Sequence, residues 1–380
     1  MPAINYANLG LDRKLNEIVM AGSHDAGITS GAANVMTQSL DIGGQAAAGV
    51  RIFDLRIAAF ASGTRAGGVK EVRLQAYHGS LKNETKTRRL EGLRNSESLT
   101  RSKMKLGDVG EGLDGMLAQA AGFVRNNPSE FLLLKFDKCT NWGLIADSCV
   151  RLLGDTIYRG IGSLNTKTLR ELAGKVVPLF TTQGLAEVRS GFPPGSGILG
   201  ISNLASGGSY DPNYNGLQYF GKGGTSVTRP FGKIGQNLGK QTDLMQCAAA
   251  ACDPAVMGMM YWTSTGIFES IRKRNDRMWN GTNVASLNRM WTNGLSDAIE
   301  SRIATSVDPA TYAAGSLLKA FMPNIVMIDF ADPGKCQHIY GLNHVAATAL
   351  TDAARAVERD VGVARRAYAQ LQQNTRQRLP

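Results

Sequence analysis

Short, continuously apolar runs separated by helix-patterned stretches recur along this chain, and that alternation narrows its fold more than any other feature. Ile18-Val19-Met20-Ala21, "GVRIFDLRIAAF" (49–60), "RLQAYHG" (73–79), "FLLLKFD" (131–137), "KVVPLF" (175–180), "GILGISNL" (197–204), "MGMMYWTST" (257–265) and "NIVMIDFAD" (324–332) read as strands. Unbroken apolar residues are what a strand covered on both faces needs. The stretch 110–130 has apolar residues at helical spacing and stops at Asn-Asn-Pro, and further helical patterns lie at 165–173, 284–304 and 341–372. Strand-then-helix order implies parallel strands, because the crossover that returns the chain must also cover the sheet. About eight such strands favour a closed (β/α)8 barrel of the TIM type over an open doubly wound sheet.

The 380 residues contain no convincing linker or internal repeat, so one domain spanning 1–380 is expected. A hydrophobic fraction of 43% with 19% charged residues excludes global disorder. No apolar run approaches the roughly 18 residues of a membrane span. The opening MPAINYANLGLDRKLNE has no basic stretch leading into an apolar one, so no Sec signal peptide is expected. A loop-rich region runs from about 184 to 240; its GKGG reads as turn geometry, since no GxxxxGK[ST] occurs. Cys139, Cys149, Cys247, Cys252 and Cys336 form no CxxC pair, which argues against structural zinc; Cys247 and Cys252 are spaced for a small disulfide.

The formal charge of +11 favours anionic partners. It is concentrated in a basic insertion at about 81–105, where eight Lys/Arg stand against three Glu. The segment reads either as a solvated face or as a contact for an anionic surface. Nucleic acid is not expected, because no aromatic residue there can stack a base.

Three strand ends carry polar residues that a core would not select: "SHD" (23–25), "DLR" (54–56) and "YHG" (77–79). Two of the chain's four histidines, His24 and His78, fall there. His338 and His344 lie outside the pattern and read as surface or helix-start residues. In helix-flanked sheets the C-terminal strand ends are where side chains converge on a ligand. Two histidines, aspartates and an arginine match the needs of phosphodiester cleavage by an internal hydroxyl. One imidazole deprotonates the nucleophile, another protonates the leaving oxygen, and a guanidinium takes up the equatorial charge.

The ordered set "GSHDAG", "TQSLDIGGQAAAGVRIFDLRI" and "YHGS" resembles the X-region of phosphatidylinositol-specific phospholipase C and its bacterial relatives. "LGDV" before a helix, "NNPSEFLLLKF" and "PNIVMIDF" also fall where that family has equivalents, so the resemblance spans about residues 14–332. It implies a (β/α)8-like barrel, complete or lacking a strand, with its site at the C-terminal mouth. It implies His24 as the base on the inositol 2-hydroxyl, oriented by Asp329, and His78 as the acid for the diacylglycerol oxygen, assisted by Asp25. Arg56 would bind the phosphate and Asp54 hold the local geometry. Lys135 reads equally as a phosphate or headgroup contact and as a snorkelling lysine. Tyr261 and Trp262 read as an apolar headgroup wall or as buried packing.

The implied substrate is phosphatidylinositol or a related phospholipid, met at an anionic membrane surface. The implied products are diacylglycerol and a cyclic inositol phosphate. No cofactor is expected. No metal is expected either, because Asp25 and Arg56 stand where calcium-using members have Asn and acidic residues. Export by a specialised route or from a cleaved precursor is favoured over a cytoplasmic location. Two alternatives compete: a glycerophosphodiester phosphodiesterase, whose HRG and E-x-D motifs are missing, and a non-catalytic phosphoinositide or membrane-binding module, against which stands the retention of every acid-base residue.

Overall fold

The computed structural model describes residues 4–64, 70–87, 99–222, 255–263, 270–279 and 324–344. Among the described residues eleven strands run in chain order as β1 (Met20–Ser23), β2 (Val50–Leu55), β3 (Ile57–Thr64), β4 (Lys70–Thr87), β5 (Leu99–Gly112), β6 (Phe131–Phe136), β7 (Lys175–Thr181), β8 (Leu199–Asn203), β9 (Gly216–Lys222), β10 (Met257–Trp262) and β11 (Ile325–Ile328). Eight close into one barrel, ordered β1-β2-β6-β7-β8-β9-β10-β11 and back to β1. Every neighbouring pair is parallel. The barrel is complete.

Successive side chains on a strand alternate between faces, and the two apolar layers follow that alternation. Ile52, Leu133, Val177, Leu217, Met259 and Met327 fill the barrel interior. Phe53, Leu132, Leu134, Phe180, Met260 and Val326 face outward. There they meet helices such as Leu113–Asn126 and Trp142–Leu153, whose apolar stripes complete the outer layer. Each large side chain so buried contributes about 1.5–3 kcal/mol of transfer free energy.

Two assignments from the sequence change places. The run 73–79 is not a barrel strand: it lies within β4, which pairs antiparallel with β3 and β5 in a second, three-stranded sheet inserted after β2. The run 49–60 divides at Arg56 into β2 and β3, so the chain leaves the barrel at that residue. Conversely β9, "GLQYFGK", lies inside the stretch read as loop-rich. Its glycines and single Lys mask a strand whose Leu217 and Tyr219 point into the barrel. The helical pattern at 165–173 is a 3-10 turn, Leu164–Thr166, and a four-residue helix, Leu169–Leu172. The patterns at 284–304 and beyond 344, and the cysteines 247 and 252, lie outside the described residues. Cys139, Cys149 and Cys336 are free thiols. His338 and His344 lie on the helix over 333–344, their rings edge-on to Trp279 and Tyr340.

A buried ion pair joins the N-terminal ends of β2 and β6. Arg51 Nε lies 2.6 Å from Glu130 Oε2, with both side chains almost fully buried. Glu130 Oε1 also accepts the Tyr6 amide at 2.6 Å. Arg51 Nη1 donates to the carbonyls of Ala46 and Val50, and its guanidinium lies 5.0 Å from the Tyr6 ring centre. Breaking such a pair leaves an uncompensated buried charge, so Glu130→Ala should lower stability by about 3–5 kcal/mol. Urea unfolding checks this: a loss below about 1 kcal/mol would show that water reaches Arg51, and Arg51→Met with Glu130→Leu should recover much of the loss.

Candidate active site

Strand parity decides which residues meet at the other end of the barrel. Inward positions 52, 133, 259 and 327 place Asp54, Lys135, Tyr261 and Asp329, each two residues further on, over the same axis. His24 follows β1 directly and is only 7% exposed. Its amide donates to the Ile328 carbonyl at 3.0 Å, which extends the β1–β11 ladder by one rung. His24 Nδ1 lies 2.9 Å from Asp329 Oδ1, and its ring stands edge-on to Tyr261 with centroids 5.9 Å apart.

Asp25 is the hub. Its Oδ2 lies 2.5 Å from His78 Nδ1 and 3.6 Å from His24 Nε2, while its Oδ1 lies 3.0 Å from Arg56 Nε. To reach these three groups the backbone at Asp25 takes φ 43°, a left-handed conformation that Asp tolerates better than bulkier residues. Strain of this kind persists only where the surroundings hold it. Here Thr37 Oγ1 donates to the Asp25 carbonyl at 2.9 Å, and the Ala26 amide donates to the Asp54 carbonyl at 2.9 Å.

His78 arrives from the inserted sheet rather than from a barrel strand end. Gly79 and Gly107, opposite each other in β4 and β5, both have positive φ (121° and 113°), and a Cβ on either would meet the facing backbone. Only glycine allows this close approach next to His78, whose imidazole meets Asp25. The Tyr77 amide donates to the Arg56 carbonyl at 3.0 Å, and the Tyr77 hydroxyl donates to the Lys138 carbonyl at 2.6 Å.

The electrostatics follow from burial and these contacts. Burial opposes a charge on His24, but Asp25 and Asp329 outweigh it and raise the imidazole to about 9. Burial also opposes the Asp25 charge, yet His24, Arg56 and His78 hold its carboxyl far below the usual range. Asp329, fully buried, is pushed up by desolvation. Lys135 Nζ pairs with Asp54 at 2.7 Å and Asp137 at 3.2 Å. Despite its burial, Asp54 above all keeps it protonated, well above the ordinary lysine range.

His24, Asp25, Asp54, Arg56, His78 and Asp329 therefore lie in one contiguous cluster, with Lys135 and Tyr261 at its wall. Lys135 does not snorkel; its ammonium is buried against two carboxylates. Of the two readings of Trp262, packing holds and the headgroup wall does not: its side chain is fully buried in the outer layer, because it alternates with Tyr261 and faces the helices. It lines no mouth.

Two residues were missed. Asp137 directly follows β6 and continues the inward parity of Lys135, a spacing of two that the run "KFD" already displays. Gln38 stands in the run "TQSLDIGGQAAAGVRIFDLRI", which carried the resemblance without giving it a role. Its Nε2 donates to the carbonyls of His24 at 3.0 Å and Ile328 at 3.1 Å, and its Oε1 accepts the Ala331 amide at 2.9 Å. It thus clamps together the strand ends that carry His24 and Asp329.

Ligand atoms of His24, Asp25 and Asp54 lie within 4.8 Å of one another, a spacing that a metal ion would accept. Asp25 is already paired with Arg56 and Asp54 with Lys135, so a divalent cation would enter against two fixed positive charges.

No protein-family profile and no curated protein sequence matches this chain. Among solved structures it is similar to phosphatidylinositol-specific phospholipase C from Listeria monocytogenes, at 14% identity and a TM-score of 0.49 over 88% of this chain and 95% of that one. A phosphatidylinositol-specific phospholipase C from Staphylococcus aureus is similar at 14% identity and a TM-score of 0.48 over 88% and 95%. A calcium-dependent phosphoinositol-specific phospholipase C from Pseudomonas sp gives 13% identity and a TM-score of 0.37 over 68% and 85%. Over most of its length, then, the chain is similar to bacterial phosphatidylinositol-specific phospholipases C.

Proposed function

We propose that this protein cleaves phosphatidylinositol-type lipids by intramolecular phosphoryl transfer without a metal. The observation that carries the reading is the single carboxylate of Asp25 lying within 3.6 Å of both imidazoles and of the guanidinium. That joins a base, an acid and a fixed cation around one volume, as in-line displacement at a phosphodiester requires.

His24 Nε2, beyond hydrogen-bond length from Asp25, takes the proton of the inositol 2-hydroxyl. The freed oxygen forms a bond to phosphorus and the bond to the glycerol oxygen breaks. Protonated His78, its Nδ1 held by Asp25, gives the proton of its other ring nitrogen to that leaving oxygen. Asp329 fixes the His24 ring and stabilises the imidazolium formed there. Arg56 faces the phosphate charge through its two terminal nitrogens, neither of which meets a protein acceptor among the described residues. Diacylglycerol and a cyclic inositol phosphate leave.

The spacing of His24, Asp25 and Asp54 favours one other reading, a metal-using glycerophosphodiesterase. An assay of phosphatidylinositol and glycerophosphodiesters, each with and without EDTA, separates the two. The expected result is release of a cyclic inositol phosphate at an unchanged rate in EDTA, with glycerophosphodiesters left intact. Activity lost to chelation and restored by calcium would overturn the metal-free mechanism.

A further inference from the structure

The hairpin of β4 and β5 carries groups that neither the barrel nor the catalytic cluster uses. Lys82 stands directly opposite Lys103, both are exposed, and no carboxylate pairs with either among the described residues. Like charges facing each other across a ladder are unfavourable, and an external anion relieves the repulsion. The register shifts between Ser80 and Leu81: Ser80 faces Leu106, Leu81 faces Met104, and Lys105 is the extra residue of the bulge. Leu81 and Met104 pack with Val109 against Phe60 and Tyr77. The next rung, Lys82 and Lys103, therefore lies on the opposite, outer face. Beside it Leu106 is 72% exposed, and Ile161 is the only other large apolar side chain so exposed among the described residues.

We propose that this hairpin docks the protein on an anionic bilayer. Leu106 enters the acyl boundary, and Lys82, Lys103 and Lys105 lie among the phosphate-bearing headgroups. An exposed apolar side chain flanked by cations matches a membrane surface, where apolar burial and charge attraction act together; a nucleic acid would leave Leu106 in water. The orientation, though not the docking, rests on the phosphodiesterase reading. Ser80, opposite Leu106, is two residues from His78, so docking brings the acid of the reaction to the side where the diacylglycerol oxygen must remain.

Sedimentation with vesicles of phosphatidylcholine alone, or mixed with phosphatidylserine, tests the docking without using the substrate. Wild-type protein should bind the mixed vesicles and release them as salt rises. Replacing Lys82, Lys103 and Lys105 together by Gln should weaken that binding about 100-fold, roughly fivefold per lysine. Leu106→Ser should weaken it about tenfold or more. Both variants should cleave a soluble inositol phosphodiester at the wild-type rate. Unchanged vesicle binding in both variants, equal loss on the soluble substrate, or preference for single-stranded nucleic acid over vesicles overturns the proposal. Hairpin-dependent binding by a protein that cleaves no inositol phosphodiester would sink the enzymatic reading and leave the docking surface standing.

Discussion

Alanine at His24 or at His78 is expected to lower turnover of phosphatidylinositol by about 10²–10⁴-fold each, the usual range for a positioned acid or base. The double variant should be little worse than either single one, because in the proposed mechanism both imidazoles serve one proton-transfer sequence. His24→Ala leaves the buried Asp329 carboxylate without its partner, so His24→Gln serves as the control for folding, and circular dichroism checks both. The pH profile tests the same assignment independently. A base must be neutral to act, and the carboxylates that raise His24 to about 9 keep it charged at neutral pH. On a soluble substrate kcat/KM should therefore climb about tenfold per pH unit on the acid side and level off toward pH 9. Asp25→Asn removes the largest influence favouring the imidazolium, so its acid limb should move to lower pH. A limb that stays in place, or near-normal activity in either alanine variant, would remove His24 and His78 from the chemistry.

Arg56→Ala should cost about 3–4 kcal/mol of transition-state stabilisation, or about 10²–10³-fold in kcat. The guanidinium is fixed in advance: Asp25 holds its Nε at 3.0 Å, the side chain is 18% exposed, and burial, which opposes its charge, is outweighed by Asp25 and Asp54. In the proposed reaction, charge held rigidly in a partly dry site would stabilise the developing phosphorane without reorganisation. Arg56→Lys should recover only part of the loss, since an ammonium cannot keep the Asp25 contact and present two further donors at once. Steady-state kinetics on the soluble phosphodiester decides the matter. A change confined to KM would mean that Arg56 binds ground state and transition state alike, and the electrostatic role would be wrong.

The residues of the cluster are held by different parts of the molecule. His24 and Arg56 sit at barrel strand ends, fixed by ladder hydrogen bonds that also build the core. His78 sits on a hairpin attached at Tyr77, and Gln38 on a loop that ties β1 to β11. Positioning thus comes from one rigid element and two attached pieces, which is why the carboxylate of Asp25 has to span them.

The sequence by itself determined the parallel barrel and most of the inward-facing site. Short apolar runs such as 131–137, set between helical patterns, read as strands buried on both faces, and a period of two assigns Asp54, Lys135 and Asp329 to one side once a single inward residue is known. The motif order also placed His24, Asp25, Arg56 and His78 in one candidate group. Tertiary structure decided the rest. That Trp262 faces the helices while Tyr261 faces the mouth depends on which parity β10 adopts when it pairs with β11, since a one-residue slip would exchange them. That "GLQYFGK" is a strand depends on partners on both sides, which compensate for its weak local preference. The clamp by Gln38 joins carbonyls 14 and 290 residues away, and the Asp25 bridge joins His78 across 53. Such contacts are set by how the chain closes in space, and no local pattern of residues encodes them.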